Sequence, residues 1–158
     1  MEMKRVIVIG CPGSGKSTFS RGLAAKTGLP LHYLDMIWHR ADRTVIGKDE
    51  FDRRLTEIMA DDKWILDGNY ARTLPMRLAK CDTVFYFDLP LDECLEGARS
   101  RLGKEREDMP WTDEQLDPEF LQWILDFPRD IVPEIERHLA CFDGEVIRFR
   151  SRADADRF

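Results

Sequence analysis

A short apolar run is followed at once by glycines, a lysine and hydroxyl residues at fixed spacing: Gly10, Cys11, Pro12, Gly13, Ser14, Gly15, Lys16, Ser17 and Thr18. The first eight fit the pattern G-x-x-x-x-G-K-S/T, in which backbone N–H groups turn inward around a polyphosphate because glycine accepts φ values that other residues avoid. Lys16 would add a positive charge beside the β- and γ-phosphates, and Ser17 a hydroxyl ligand for Mg²⁺. The segment therefore predicts a phosphate loop that binds a nucleoside triphosphate with Mg²⁺.

The residues on either side of this segment favour a phosphate loop over an ordinary glycine- and serine-rich turn. The apolar residues 6–9 before it are typical of a buried strand. Phe19 and Leu23 continue after it at helical spacing, and Gly28 stands where a helix often ends. A strand, a loop and a helix in this order are the context that the motif requires, with the positive end of the helix directed at the phosphates.

Two aspartates stand at the ends of apolar runs that we predict to be strands. Asp35 closes residues 31–34, and Asp67 closes residues 64–66. Ligands of open parallel α/β sheets bind at the carboxyl ends of the strands, so we expect Asp67 to help hold Mg²⁺ and Asp35 to orient or deprotonate an acceptor. The alternative for each is a turn or a helix cap. The candidate substrate-binding residues are Asp35, Trp38, Asp67, Asn69 and Arg72.

We predict that the charged segment 103–116 is a mobile lid. Four arginines lie in or near it, namely Arg99, Arg101, Arg106 and Arg129. Transfer of a phosphoryl group needs positive charge at its equatorial oxygens, and planar guanidinium groups supply it well. Each arginine alone would be a solvated surface charge, but together around one loop they indicate a phosphate clamp. The predicted catalytic residues are Lys16, Asp35, Arg101 and Arg129.

Apolar runs typical of strands alternate with helical patterns along the chain. The predicted strands are residues 5–9, 31–34, 64–66, 83–89 and 145–149. Such an alternation implies a parallel sheet that is covered by helices on both faces. The length of 158 residues fits one domain, 1–158, with the lid at about 103–116.

The composition limits the kinds of partner. The formal net charge is −6 and the pI is about 5.1, whereas a DNA-binding surface normally shows as a basic face, so direct DNA binding is not expected. The four cysteines lack zinc-ligand spacing, and no stretch has the features of a signal peptide or a membrane span. We therefore expect a cytoplasmic protein with reduced thiols and no membrane partner.

Several segments together resemble the adenylate kinase-like branch of the phosphate-loop proteins, and within it the group of DNA topology modulation proteins. They are residues 10–18, 34–35, 64–70, 82–90 and 120–128. The resemblance covers nearly the whole chain and implies a three-layer P-loop NTPase fold, with a five-stranded parallel sheet in the order 2-3-1-4-5 and a short lid. It also implies ATP or a related nucleotide, Mg²⁺ and phosphoryl transfer.

Two positions depart from the pattern of the related kinases. These kinases often carry two arginines one helical turn apart where the chain enters the lid, but here Gly97 has the earlier position and Arg101 the later one. The second basic residue expected near Arg129 is replaced by Asp130 or Ile131. Arg101 and Arg129 are the positions of the clamp that remain.

Three functions are compatible with these residues. The first is a kinase that binds ATP and Mg²⁺ at the phosphate loop and a small molecule or nucleotide between Asp35 and Arg72. The second is a nucleotide-dependent regulatory protein that affects DNA topology, which a steep salt dependence of DNA binding would indicate. The third is a slow ATPase without a small-molecule acceptor. The sequence favours the first.

Overall fold

Five short apolar runs pair into one parallel sheet. The computed structural model describes residues 3–158, and its strands are β1 (Arg5–Gly10), β2 (Leu31–Tyr33), β3 (Trp64–Asp67), β4 (Thr83–Phe87) and β5 (Glu145–Phe149). Their order is β2-β3-β1-β4-β5, and every neighbouring pair is parallel. The predicted fold class, an α/β P-loop NTPase fold with the strand order 2-3-1-4-5, is thereby confirmed.

The central strands are buried on both faces. All residues of 6–9, 64–66 and 84–87 are at most 1% exposed. Because successive side chains of a strand point to opposite faces, other elements must cover both sides of the sheet. The long apolar runs of β1, β3 and β4 thus lead to a three-layer arrangement, with the sheet between two layers of helices.

The helices follow the strands in alternation and begin and end at recognisable residues. They are α1 (Lys16–Thr27), α2 (Leu34–Trp38), α3 (Lys48–Met59), α4 (Leu74–Leu78), α5 (Leu91–Ser100), α6 (Pro118–Asp130), α7 (Val132–Ala140) and α8 (Arg152–Arg157). As predicted, α1 ends at Gly28, which has φ 75° and donates its N–H to the carbonyl of Ala24 at 2.8 Å. Within residues 3–158, no helix combines the length and the apolar character needed to cross a membrane.

The second strand ends one residue earlier than we predicted from the sequence. Leu34 begins α2, so Asp35 lies in the first turn of this helix instead of closing a strand. Leu34 is completely buried, and a Cβ added to Gly68 would lie 2.9 Å from the Cβ of Leu34. This packing turns the chain sharply behind β2, and it keeps Asp35 at the carboxyl end of the sheet.

Helix α5 packs directly on the backbone of the loop between β1 and α1. A Cβ on Gly97 would lie 1.9 Å from the carbonyl oxygen of Gly13, and a Cβ on Gly13 would lie 2.1 Å from the carbonyl oxygen of Cys94. Arg152 Nη2 donates to the same Gly13 oxygen at 2.8 Å. The missing arginine at position 97 therefore has a physical cause, because no side chain fits between α5 and the loop.

We predict that Gly97→Ala destabilises the protein, whereas Gly22→Ala does not. The new methyl group at position 97 must push α5 away from the loop, and overpacking of this kind costs about 1–3 kcal/mol. Gly22 lies inside α1 with no atom within 4 Å of its Cβ position, so alanine there should stabilise the protein by about 0.5–1 kcal/mol. Urea unfolding of the parent and both variants measures the difference. Equal midpoints for Gly97→Ala and the parent would contradict the close approach.

Candidate active site

A cavity of about 1590 Å³ opens at the carboxyl ends of the strands. Residues 12–18 line it, together with side chains from the ends of β2 and β3, the end of α5 and the segment 103–116, whereas Gly10 and Cys11 do not. Pockets for one small ligand usually measure about 300–1,000 Å³. The cavity is therefore large enough to hold two ligands side by side.

The loop between β1 and α1 has the backbone that phosphate binding requires. Gly13 and Gly15 have φ values of 81° and 97°, which residues with side chains avoid. No side chain caps the first turn of α1, so its free N–H groups and positive dipole remain available to an anion. The Nζ of Lys16 donates to the carbonyl of Cys11 at 3.1 Å, which holds the lysine across the loop. Burial lowers the pKa of Lys16, and the nearby Asp67 carboxylate opposes that shift.

Asp67 places a buried carboxylate beside Lys16. Burial raises its pKa to about 6, against the opposing charge of Lys16. Its Oδ2 is buried and has no hydrogen-bond partner among residues 3–158. An orphaned carboxylate oxygen next to the Ser17 hydroxyl fits a Mg²⁺ ion, which prefers oxygen ligands and is commonly bound by one or two carboxylates together with substrate phosphates. The described chain has no group of three or more His, Cys, Asp or Glu side chains arranged to hold a metal ion, so phosphates and water would have to supply further ligands.

A fully buried arginine shapes the turn that follows β3. Arg77 donates to the backbone carbonyls of Gly68, Asn69 and Tyr70 and to the hydroxyl of Thr73. Burial lowers its pKa to about 10. The side chain thus fixes three consecutive carbonyls, which explains how Tyr70, a residue with a side chain, is held at φ 40°.

The two functional groups of the Asn69 side chain are used within the fold. Its Oδ1 accepts the N–H of Gly10 at 2.9 Å, and its Nδ2 donates to the carbonyl of Gly10 at 2.7 Å. We predicted from the sequence that Asn69 binds substrate. It lines the cavity, but its polar atoms join the end of β3 to the start of the phosphate loop.

Asp35 lines the cavity and is hydrogen-bonded to a tyrosine that belongs to a cluster of aromatic rings. The hydroxyl of Tyr70 donates to its Oδ1 at 2.6 Å, and burial together with this carboxylate raises the pKa of Tyr70. The rings of Trp38 and Phe51 lie 5.6 Å apart, and that of Phe51 is 5.0 Å from that of Tyr70. Asp35 is therefore held by a hydrogen bond at the edge of an aromatic cluster.

The segment 103–116 contacts both sides of the cavity. On the phosphate-loop side, Arg106 binds Asp108 through Nε at 3.1 Å and Nη2 at 2.8 Å, and the Ser17 hydroxyl donates to Asp108 Oδ2 at 3.1 Å. Burial raises the pKa of Asp108, but Arg106 and Ser17 outweigh it and bring the pKa below its ordinary value. On the other side, the guanidinium of Arg43 lies 4.9 Å from the ring centre of Trp111.

The predicted arginines are separated by the structure. Arg101 lines the cavity, its Nε is buried without a partner in the described chain, and burial lowers its pKa. Arg129 is 73% exposed and pairs with Asp130 and Asp126, outside the cavity lining. Arg72 also lies outside the lining, because both of its terminal nitrogens bind Asp52 at 2.9 and 2.8 Å. Of the clamp expected from the sequence, only Arg101 and Arg106 reach the cavity.

Three residues of the site were not singled out in the sequence. Asp108 belongs to a run of charges in which nothing distinguishes it from Glu105 or Glu107. Arg77 has the appearance of an ordinary basic residue on a short helix, and Tyr70 was recognised only as part of a motif. Their roles depend on partners far away in the chain, and local patterns carry no signal for such contacts.

The sequence matches no protein-family model, and no curated protein matches it. Solved structures of similar fold include shikimate kinase from Acinetobacter baumannii in complex with shikimate, at 17% identity over 98% of this chain and 90% of that chain, with a TM-score of 0.64. A gluconokinase from Sinorhizobium meliloti has 15% identity, coverages of 98% and 87%, and a TM-score of 0.57. A sugar kinase from a Janibacter species has 21% identity over 99% of this chain and 90% of that chain, with a TM-score of 0.58.

At these identities the similarity shows the fold, which this chain shares with P-loop kinases. The finer resemblance to the group of DNA topology modulation proteins is not confirmed by these comparisons.

The raised pKa of Asp67 predicts that this one carboxyl contributes a loss of stability to the ligand-free protein between about pH 4 and pH 6. The unfolded carboxyl ionises near pH 3.9, whereas the folded one keeps its proton up to a pKa of about 6. In this range the unfolded state binds fewer protons than the folded state, so the free energy of unfolding falls as the pH rises, by on the order of 2–3 kcal/mol in total.

Asp67→Asn removes this titration. Chemical denaturation in EDTA should therefore show a stability difference between variant and parent that shifts in favour of the variant from pH 4 to pH 7. A difference that stays constant over this range would mean that the Asp67 carboxyl is not perturbed by burial.

Proposed function

We propose that this protein is a Mg²⁺-dependent phosphotransferase that moves the γ-phosphoryl group of ATP to a hydroxyl group of a small molecule. One observation carries the proposal: a single cavity holds two aspartates in different environments. Asp67 is buried and unpartnered beside Lys16, and Asp35 is hydrogen-bonded by Tyr70 among aromatic side chains. The first arrangement suits a metal and phosphates, and the second suits an acceptor.

The residues around the phosphate loop would divide the work of binding and charge stabilisation in this reaction. The backbone of residues 12–18 would bind the phosphates, Lys16 would place its charge beside the γ-phosphate, and Ser17 with Asp67 would hold Mg²⁺. The metal supplies neutralisation of charge on the β- and γ-phosphates. Arg101 would stabilise the negative charge on the transferred phosphoryl group.

Asp35 would accept the proton of the acceptor hydroxyl as that oxygen forms its bond to the γ-phosphorus. The bond between the γ-phosphorus and the β–γ bridging oxygen breaks at the same time, and ADP leaves with the electron pair. The hydrogen bond from Tyr70 Oη to Asp35 Oδ1 occupies one carboxylate oxygen and leaves the other for the acceptor. The segment 103–116 would cover the cavity and exclude water, which otherwise competes with the acceptor.

The size and lining of the acceptor side favour a small molecule. Trp38, Tyr70 and Trp111 supply flat apolar surface, and Asp35 and Arg43 supply charged groups. The similar structures are named as kinases of shikimate, gluconate or a sugar, which are small hydroxylated compounds. We therefore place hydroxylated metabolites first among the acceptors, with nucleosides and nucleoside monophosphates as the alternative.

A phosphoryl-transfer screen tests the proposed function. Purified protein with ATP and Mg²⁺ is incubated with hydroxylated acids, sugars, nucleosides and nucleoside monophosphates, and phosphorylated products are measured by mass spectrometry. Lys16→Ala should lose transfer and hydrolysis, because the charge beside the γ-phosphate is removed, whereas Asp35→Asn should lose transfer and keep background hydrolysis. Hydrolysis without any product would indicate a slow ATPase. ATP-dependent, steeply salt-dependent DNA binding would indicate a nucleic-acid regulator instead.

Two arginines make a matched pair for testing the clamp. We expect Arg101→Ala to lower kcat by about 10²–10³-fold, which is typical for removal of one group that stabilises transition-state charge. Arg129→Ala should leave kcat within about twofold of the parent, since this side chain is exposed and paired outside the cavity. Steady-state kinetics with the acceptor found in the screen measure both. A larger loss for Arg129→Ala than for Arg101→Ala would reverse the assignment.

A further inference from the structure

Asp108 is a carboxylate of the segment 103–116 that reaches the phosphate loop. It is 7% exposed, and its Oδ2 lies 3.1 Å from the hydroxyl oxygen of Ser17. We propose that Asp108 is a ligand of the Mg²⁺ ion that binds with the nucleotide, so that closure of this segment depends on the metal. The inference rests on the proposed function, because it concerns the metal of that same site.

The spacing of the two oxygen atoms fits a shared metal. Mg²⁺ binds its ligands at 2.0–2.1 Å in octahedral geometry, so two neighbouring ligands lie about 2.9 Å apart. The 3.1 Å between Ser17 Oγ and Asp108 Oδ2 is close to this value. Without a metal the two groups meet through a hydrogen bond of this length, and Ser17 is the hydroxyl that the motif assigns to the metal.

Asp67 supplies the independent observation that a cation belongs here. Its buried Oδ2 has no hydrogen-bond partner in the described chain, and the Asp108 carboxylate is close enough to interact with its charge. Arg106 compensates the charge of Asp108, but the two carboxylates still repel each other out of water, and a cation between them would relieve this repulsion. Lys16 offsets part of the Asp67 charge, but its Nζ donates to the carbonyl of Cys11 and forms no hydrogen bond with Asp67 Oδ2. A divalent ion beside Ser17 would satisfy the oxygen atoms that remain.

An alternative role for Asp108 is that of a latch that imitates a phosphate and blocks the empty loop. A group in the place of a phosphate would accept hydrogen bonds from the loop N–H groups and from Lys16. Within residues 3–158, Asp108 accepts hydrogen bonds from Arg106 and Ser17 and from none of those groups. These contacts therefore favour Asp108 as a metal ligand over Asp108 as a group that occupies the place of a phosphate.

This arrangement would also position Arg106. Its Nε and Nη2 bind the Asp108 carboxylate, so a metal that draws Asp108 to Ser17 brings the guanidinium to the same end of the cavity. Arg106 is then a positioning residue for Asp108 and lines the same cavity.

The test compares Asp108→Asn with Glu105→Gln, which removes the same charge from an exposed position of the same segment. Mn²⁺ is titrated into each protein with a fixed concentration of a non-hydrolysable ATP analogue, and free Mn²⁺ is measured by electron paramagnetic resonance. Loss of a ligand should raise the half-saturating Mn²⁺ concentration of Asp108→Asn by about tenfold or more, while Glu105→Gln stays within about twofold of the parent. Asp108→Glu, which keeps the carboxylate, should fall between the two.

Two further readouts separate a metal ligand from other roles. Amide hydrogen exchange should show that residues 103–116 of the parent gain protection with Mg²⁺ and the analogue together but not with the analogue in EDTA, and Asp108→Asn should lose this gain. The affinity for the analogue in EDTA should be the same in Asp108→Asn and the parent.

The outcomes that overturn the proposal are distinct. Tighter binding of the analogue by Asp108→Asn in EDTA, with an unchanged metal titration, would identify a latch. Equal metal titrations and equal exchange for Asp108→Asn and the parent would remove Asp108 from the site while the proposed function stands. If the parent itself bound no analogue with Mg²⁺, the proposed function would fail, and the role of Asp108 with it.

Discussion

The two hydrogen bonds between the Asn69 side chain and the backbone of Gly10 hold the site together. They join the ends of β1 and β3 just beyond their last paired residues, so the phosphate loop starts from a fixed point. Arg77 holds the carbonyls on either side of Asn69 in turn, and the same turn carries Tyr70 to Asp35. A single buried guanidinium thus determines the position of both the phosphate side and the acceptor side of the cavity.

The charges of the cavity are incompletely balanced within the protein itself. Asp67 has an oxygen atom without a partner, and Arg101 has a buried nitrogen atom without one in the described chain. Buried groups of opposite sign that do not pair with each other cost stability, and such costs are found where a ligand is to be bound. The shifted pKa values of Lys16 and Asp67 have the same origin, since both groups lie in a space that a charged ligand would fill. The arrangement that favours binding of a charged ligand therefore lowers the stability of the ligand-free protein.

The sequence predicted those parts of the molecule that depend on neighbouring residues. The strands, the start of α1 and the stop at Gly28 follow from local periodicity, from glycine and from the motif, and they are found where expected, except that β2 and β4 end one and two residues earlier. Contacts between distant residues could not be predicted in this way. Arg72 and Arg129 looked equal to Arg101 by type and position, but Asp52 and Asp130 bind them outside the cavity. Gly97 stands where the related kinases often have an arginine, and only the close contact with Gly13 explains why a glycine is required there.

The tight contact between Gly97 and the phosphate loop also decides where the chain can bend. Helix α5 cannot slide along or rotate over the loop at this point, because the gap between the two backbones has no spare room. The helix ends at Ser100, and Gly103 follows with φ 74°, a conformation that glycine adopts without strain. Any opening movement of the segment beyond it must be taken up by the few residues between these two positions. Arg101 is the first of those residues, directly after the fixed helix, so its place in the cavity depends less on the position of segment 103–116 than that of Arg106 does.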